Sequence, residues 1–444
     1  MKPAVAVLFA ALLAAACSSG TQVPPAASPS AGGFSSEDII PYQPEHVHGS
    51  TIAELPNGDL LVAWFQGHGE RWADDVRIMG ARKKHGSAQW SEAFVMADVD
   101  GFPDINPVLS VDAKGRLWLF WYTVLANQWE SSLLKYRVSD DYTKMAGAPH
   151  WAWQADIHAK FAKTERGILP DDPFVLEVTK QLEAQREVMG ASRDSATFAR
   201  WKSRILARAT GQEMVSSGRV PRADGSYEER QLGYPMFRRI GWQTRNKPFT
   251  TKSGRMILPL YSDGFSFSVM AYTDDGGETW GFSAPLVGAG NIQPSIAQTK
   301  SGELVAYMRD NGPAPHMLHV SRSSDDGKTW STVRDTNLPN PGSAADVVTL
   351  KNGHWALISN DTESGRNRLS VALSEDDGAS WPWKRTIELD ESADPKTAQY
   401  PAIIEGKDGM LQASYSYFLP NVKGSPDRQT IRHATFSEAW IRGE

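Results

Sequence analysis

From about residue 48 to the C-terminus, short apolar runs alternate with polar positions and are punctuated by glycine-bearing turns. Residues 50–55, the turn Pro56-Asn57-Gly58-Asp59 and residues 60–64 form the first such unit. Its period-two alternation is that of half-buried strands, and the turn closes them into a hairpin. The same unit recurs around Ala113-Lys114-Gly115, Lys252-Ser253-Gly254, Lys300-Ser301-Gly302, Lys351-Asn352-Gly353 and Lys407-Asp408-Gly409, each followed by an apolar strand. Three units continue into a second motif: Thr273-Asp274-Asp275-Gly276-Gly277-Glu278-Thr279-Trp280, Ser323-Ser324-Asp325-Asp326-Gly327-Lys328-Thr329-Trp330 and Ser374-Glu375-Asp376-Asp377-Gly378-Ala379-Ser380-Trp381. The tryptophans at 280, 330 and 381 set a repeat of 50 and then 51 residues. Self-similarity at that length is the mark of a propeller or array. The pattern predicts an all-β, six-bladed β-propeller.

Within each motif an Asp accepts hydrogen bonds from turn amides, a Gly supplies positive φ, and the Trp anchors the next strand. The motif therefore reads as structural, with no chemistry assigned to Asp275, Asp325 or Asp376. Two blades carry weaker versions, Lys84-His85-Gly86-Ser87-Ala88-Gln89-Trp90 and Ser139-Asp140-Asp141-Tyr142.

One stretch, residues 150–231, breaks the period and reads as an insertion. A helix is expected to open at Asp171-Asp172-Pro173, with Phe174, Val178 and Leu182 on one face; a second follows Asp194-Ser195, with Phe198, Trp201 and Ile205. Residues 216–229 read as an exposed loop. Such insertions lie at one end of a propeller and often wall a binding site.

The N-terminus reads as a targeting segment rather than as part of the fold. Lys2 precedes an apolar run too short for a membrane span, and Leu13-Ala14-Ala15-Ala16-Cys17 resembles a bacterial lipobox. Residues 1–17 are thus expected to be a lipoprotein signal peptide with Cys17 as the lipidated residue. Residues 18–36, rich in Pro, Ser, Ala and Gly, form a flexible tether before a propeller at 37–444. A lipid-anchored protein of the bacterial cell envelope follows, touching the membrane through that anchor only. Cys17 is the only cysteine, which leaves no disulfide framework and no zinc–thiolate site. The balance of 46 Lys and Arg against 52 Asp and Glu argues against nucleic acid as a partner and leaves saccharide ligands open.

The three motifs, the six hairpins and the order of polar residues resemble the sialidase (neuraminidase) superfamily, in its divergent bacterial branch of BNR-repeat, or Asp-box, proteins. The resemblance covers residue 48 to the C-terminus except the insertion. It implies an arginine triad for a substrate carboxylate, an Asp acid/base, and a Tyr nucleophile activated by a Glu. At the place of the first arginine this chain has His48. Asp74-Asp75 match the acid/base, Asp75 more closely. Gln293, in Gln293-Pro294-Ser295-Ile296, stands where the Glu is expected. Arg309 and Arg366 match the second and third arginines, and Tyr400 matches the nucleophile.

The two replacements matter chemically. Gln293 cannot accept a proton, whereas His48 can act as a base near neutral pH. Arg245, set between Trp242 and Pro248, is a candidate for the missing arginine; guanidinium forks suit a carboxylate. Tyr261 and Asp263 end one apolar strand and Asp310 follows Arg309, so all three are candidates for substrate contact, Asp310 also as a support for Arg309. His68, in the loop before Asp75, is a further candidate. His46 and His48 share a strand face but lack the acidic or thiolate company of a metal site. No metal or cofactor is expected.

The leading expectation is a sialidase-like exo-glycosidase acting on a terminal acidic sugar of a glycan or oligosaccharide. Arg245, Arg309 and Arg366 would hold the carboxylate, Asp75 would be the acid/base, and Tyr400 the nucleophile. An alternative is a polysaccharide lyase acting on a uronic acid glycan, with His48 or a Tyr as the base. A second alternative is a non-catalytic, glycan-binding propeller. The sugar, its linkage and the oligomeric state stay open.

Overall fold

The computed structural model of the chain describes residues 33–444 apart from 160, 162–167, 169–170, 190–194, 213–214, 222–223, 234–235 and 421–427. Cys17 and the expected signal peptide lie outside the described residues.

Six four-stranded antiparallel sheets form the body of the molecule. Blade 1 runs His46–Glu54, Leu60–Gly67, Arg77–Lys83, Phe94–Ala97, and blade 2 runs Asp104–Val111, Leu117–Val124, Ser132–Ser139, Trp153–Asp156. Blade 3 is Phe249–Thr250, Met256–Ser262, Phe267–Thr273, Gly281–Phe282. Blade 4 is Asn291–Gln298, Leu304–Asp310, Met317–Ser323, Arg334–Pro339, and blade 5 is Asp346–Thr349, Trp355–Asn360, Arg368–Ser374, Trp383–Leu389. Blade 6 takes Thr397–Glu405, Leu411–Phe418 and Gln429–Phe436 from the end of the chain, and its outer strand, Phe34–Asp38, from the beginning. Pairing of Phe34 with Phe436 and of Asp38 with Arg432 closes the ring. Residues 34–36, read from sequence as tether, therefore belong to the propeller.

Each repeated motif does the structural work its composition suggests. Asp275 accepts from the amide of Thr279 (2.9 Å) and the hydroxyl of Thr273 (2.7 Å); Asp325 and Asp376 repeat the pattern with Thr329 and Ser323, and with Ser380 and Ser374. The glycine is required twice over at Gly277, where φ is +94° and an added Cβ would lie 2.4 Å from the Trp118 ring of blade 2. The lysines of the x-x-Gly hairpins clasp neighbouring turns. Lys252 donates to the carbonyl of Lys300 (2.9 Å), Lys351 to that of Gly406 (2.7 Å), and Lys407 to that of Pro56 (2.5 Å), so the last clasp joins blade 6 to blade 1. Both turn types lie at one end of the molecule, because each strand pair returns there.

The insertion differs from its expected bounds. Trp153–Asp156 pairs with Ser132–Ser139 as the outer strand of blade 2, so the chain leaves the propeller only after it. Helix α1 (Pro173–Met189) is capped by Asp172, whose carboxylate accepts from the amides of Phe174 (3.0 Å) and Val175 (3.3 Å). Helix α2 (Ser195–Ala209) follows. The segment expected as a loop is instead a hairpin, Val215–Pro221 with Tyr227–Gly233. A short helix α3 (Met236–Arg239) leads back, and buried Arg238 joins Asp172 (2.7 Å) to the carbonyl of Ala209 (2.7 Å). Phe174, Val178, Leu182 and Ile205 share one core with Phe265 and Phe267 of blade 3. Gln181 accepts from the amide of Val287 (2.8 Å) and Gln185 donates to the carbonyl of Val333 (2.9 Å), which fixes α1 against blades 3 and 4.

Candidate active site

At the end opposite the repeated motifs, four inner strands break register at equivalent places: between His48 and Thr51, Ile105 and Val108, Ile292 and Ser295, and Gln399 and Ala402. Each break holds a residue of positive φ: Gly49 (66°), Asn106 (48°), Gln293 (56°) and Tyr400 (55°). A bulge turns a side chain away from the ordinary strand face. Left-handed backbone is unusual for Gln and for bulky Tyr, and such strain clusters at functional sites. Three of the four precede proline, Pro107, Pro294 and Pro401, so the common signature X-Pro is visible in the sequence.

The bulged side chains and the neighbouring loops enclose a cavity of about 250 Å³. Its lining includes His48, Asn106, Tyr261, Asp263, Gln293, Arg309, Arg366 and Tyr400, together with Phe65, Glu70, Tyr122 and Trp129. Tyr400 stands among the cations. Arg309 Nη1 donates to its hydroxyl (2.8 Å), Gln293 Nε2 approaches it (3.3 Å), and the Arg366 guanidinium lies 5.5 Å from the ring centre. Arg366 also donates to Gln399 and to the carbonyl of Gly342. Gln293 and Asn106 both donate towards the Tyr261 hydroxyl, at 3.4 and 3.3 Å.

The electrostatics separate the titratable groups. Burial would raise the Tyr400 phenol, but the positive charges of Arg309 and Arg366 outweigh it and hold the phenol below its ordinary value of 10.0. Tyr261 and Tyr122, buried without a cation at the hydroxyl, are pushed up instead. Burial pushes the Asp263 carboxyl up to about 6 against the pull of Arg309. His48 is pushed well below the ordinary imidazole value by burial, with His46 and the arginines adding to it; its Nδ1 meets Ser416 Oγ at 2.9 Å. The site therefore pairs a phenol biased towards phenolate with a carboxyl biased towards the acid form.

Four sequence candidates stand elsewhere. Asp75 and His68 are not among the lining residues: they bond to each other on the loop at 2.5 Å, both half-exposed or more, and that bond keeps the Asp75 carboxyl below its usual range. Arg245 lies beneath the floor, 1 % exposed, donating to the carbonyls of Ser50 (3.2 Å) and Pro401 (3.0 Å), with its guanidinium 5.1 Å from the Tyr400 ring. Asp310, too, is buried behind Arg309 rather than in the cavity wall; it accepts from the Gly312 amide (2.6 Å) and faces His316 and His319, and so holds the turn that follows Arg309. Conversely, Glu70, Tyr122 and Trp129 line the cavity without any sequence signal that marks them. Glu70 shares the His68–Asp75 loop and meets His46 at 3.3 Å.

Among the described residues, none of Arg245, Arg309 and Arg366 has a carboxylate within the 4.0 Å of an ion pair. Elsewhere buried arginines are neutralised, Arg238 by Asp172 and Arg82 by Asp59. Buried charge without a partner is costly, so a cluster of such groups is a site for an anion. The His354, Glu375 and Glu438 cluster has metal-capable spacing, but Arg442 pairs with both of its carboxylates.

Residues 58–203 and 227–413 match the BNR repeat-like domain family. The leech Macrobdella decora anhydrosialidase is 25% identical over 182 residues, 37% of this chain and 24% of that protein. A Bacteroides fragilis sialidase is 24% identical over 161 residues, 34% of this chain and 29% of that protein. The chain thus matches 24% to 29% of the length of these curated relatives. Among solved structures, the intramolecular trans-sialidase from Ruminococcus gnavus superposes with a TM-score of 0.55 at 14% identity, covering 89% of this chain and 95% of that one, which bears on the fold. With its boxes, its six blades and this match, the chain is a divergent, sialidase-like member of the BNR repeat-like domain family.

Proposed function

We propose that the protein is a glycoside hydrolase that removes a terminal acidic sugar from a glycan. The observation that carries this reading is the set of arginines without carboxylate partners around Tyr400. Arg309 and Arg366 line the cavity and would take the sugar's carboxylate, while Arg245 adds positive potential from beneath. The cavity suits one monosaccharide unit.

In this reading Tyr400 first gives its phenol proton to solvent, and the phenolate oxygen then attacks the anomeric carbon, or faces its developing positive charge, as the bond to the leaving oxygen breaks. Asp263, protonated near pH 6, gives its proton to that oxygen. Water then attacks the glycosyl–tyrosine bond, Asp263 takes up the water's proton, and the phenolate is restored. Arg309 performs for Tyr400 what an adjacent carboxylate base would otherwise do, since a guanidinium at 2.8 Å stabilises the phenolate without accepting its proton. Gln293 orients the hydroxyl. The partial identity and fold likeness to sialidases support an acidic sugar as substrate. The elimination reading finds no support in His48, which is buried, weakly basic and tied to Ser416.

The lipid anchor expected at Cys17 would join the propeller at Phe34, which pairs with Phe436 at the far end of blade 6 from Tyr400. The test is incubation of the chain from residue 33 onward with α-sialosides and other terminal acidic glycosides, following released sugar and ultraviolet absorbance together. Released acidic sugar without an unsaturated product supports hydrolysis; an unsaturated uronate, or binding without turnover, refutes it.

A further inference from the structure

The loop that carries Glu70 into the cavity continues into Arg71 and Trp72, and Trp72 is 60 % exposed. The Arg71 guanidinium lies 4.9 Å from the Trp72 ring centre and 5.1 Å from that of Trp129, so it is held by two indoles. Trp129 belongs to blade 2 and lines the cavity. Asn127, on the same blade 2 loop, donates to the Arg71 carbonyl at 2.9 Å and locks the two loops together. Gly69 lets the indole fold back, since a Cβ there would sit 2.9 Å from Trp72 Nε1. The Arg71 side chain makes no hydrogen bond or ion pair among the described residues, although its charge is felt at Asp263 inside the cavity. Trp72 and Arg71 thus set an exposed apolar face beside N–H donors that no group among the described residues takes up.

We propose that Trp72, Arg71 and Trp129 form a platform for the sugar unit next to the one in the cavity. This rests on the glycosidase reading and names its leaving group, a neutral hexopyranose. The open face of Trp72 would stack on the apolar C–H face of the ring, and Arg71 would donate to its hydroxyls. Continuity with the cavity favours this occupant: Glu70 and Trp129 line the cavity, and Arg71 and Trp72 adjoin both. The stacking gives the enzyme a preference for glycan over small leaving groups.

The experiment compares acidic glycosides with a neutral disaccharide leaving group against the methyl glycoside of the same sugar, for wild type, Trp72→Ala and Trp153→Ala. Trp153, equally exposed at 60 % but on the outer strand of blade 2, is the control. Loss of one aromatic stack should lower the glycan-to-methyl ratio of kcat/KM by on the order of tenfold in Trp72→Ala. Trp153→Ala should keep the wild-type ratio. In parallel, saturation-transfer NMR with the free neutral disaccharide should give a signal for wild type and none for Trp72→Ala. An unchanged ratio, or no transfer to the disaccharide from wild type, overturns the platform. If Trp72→Ala abolishes the transfer but no acidic glycoside is turned over by wild type, the platform stands and the hydrolase reading falls instead.

Discussion

Asp263→Asn should make the protein more stable and less active, both in a pH-dependent way. The wild-type carboxyl titrates at about 6 in the fold, against 3.8 as its ordinary value, chiefly because burial disfavours the charged form. The folded chain therefore holds this proton across a window in which the unfolded chain has lost it. Its contribution to stability is fully present below about pH 4 and is lost as pH rises through about 6. Two pH units correspond to about 3 kcal/mol, an upper bound for the burial cost of the carboxylate. An amide cannot ionise and carries no such penalty. Urea denaturation of both proteins at pH 5 and pH 8 should give a stability difference, Asp263→Asn minus wild type, that grows by ~1–2 kcal/mol towards the higher pH. Wild-type kcat/KM should fall above about pH 6 as the proton donor is lost, whereas the variant should lose that limb and about 10²–10⁴-fold of its rate. A stability difference that ignores pH, or a variant that keeps the wild-type pH profile, would refute the assignment.

Tyr400 should be the first of the pocket phenols to ionise. Alkaline difference absorbance should show a tyrosinate appearing below pH 10, absent in Tyr400→Phe and delayed in Arg309→Met. A charge-assisted hydrogen bond of about 1.5–3 kcal/mol corresponds to a delay of about one to two pH units. Gly277→Ala tests the frame: strain at φ +94° and the close approach to Trp118 should cost ~2–4 kcal/mol in denaturant unfolding. At temperatures where the variant stays folded, kcat/KM should be unchanged, since the motif lies at the other end of the propeller.

The fold was legible because its signals are local and repeated. An Asp, a Gly and a Trp at fixed offsets determine a turn wherever they occur, and the x-x-Gly hairpins recur often enough to count the blades. The outer strand of blade 6 was not legible, because residues 34–38 carry no strand pattern that distinguishes them from the tether; their place is decided by the unpaired edge of Gln429–Phe436. The hairpin at 215–233 resembles a loop in sequence for a similar reason, its polar composition giving no clear alternation.

At the site, residues at strand starts and ends were legible, since the blade repeat itself brings His48, Gln293, Arg309 and Tyr400 to one centre. Loop residues were not. Asp75 and Glu70 lie five residues apart on one loop, and only the loop's path decides that Glu70 turns inward while Asp75 pairs with His68. Arg245 resembles a substrate ligand in sequence, yet the broken inner strand of blade 3 sinks it below the floor, where backbone carbonyls take its donors. The X-Pro pairs can be read in the sequence, but their positive φ and shared place need the backbone: Asn106-Pro107 belongs with Gln293-Pro294 and Tyr400-Pro401, and its side chain lines the cavity beside theirs.

The central claim is that Tyr400 is the reacting group of an acidic-sugar hydrolase. It is tested most directly by incubating the protein with a fluorinated acidic glycoside that loads the enzyme faster than it is released, followed by intact-mass and peptide mapping. The account predicts one glycosyl adduct, on the peptide that contains Tyr400, and none in Tyr400→Phe. An adduct on another residue, or full turnover of acidic glycosides by Tyr400→Phe, would contradict it.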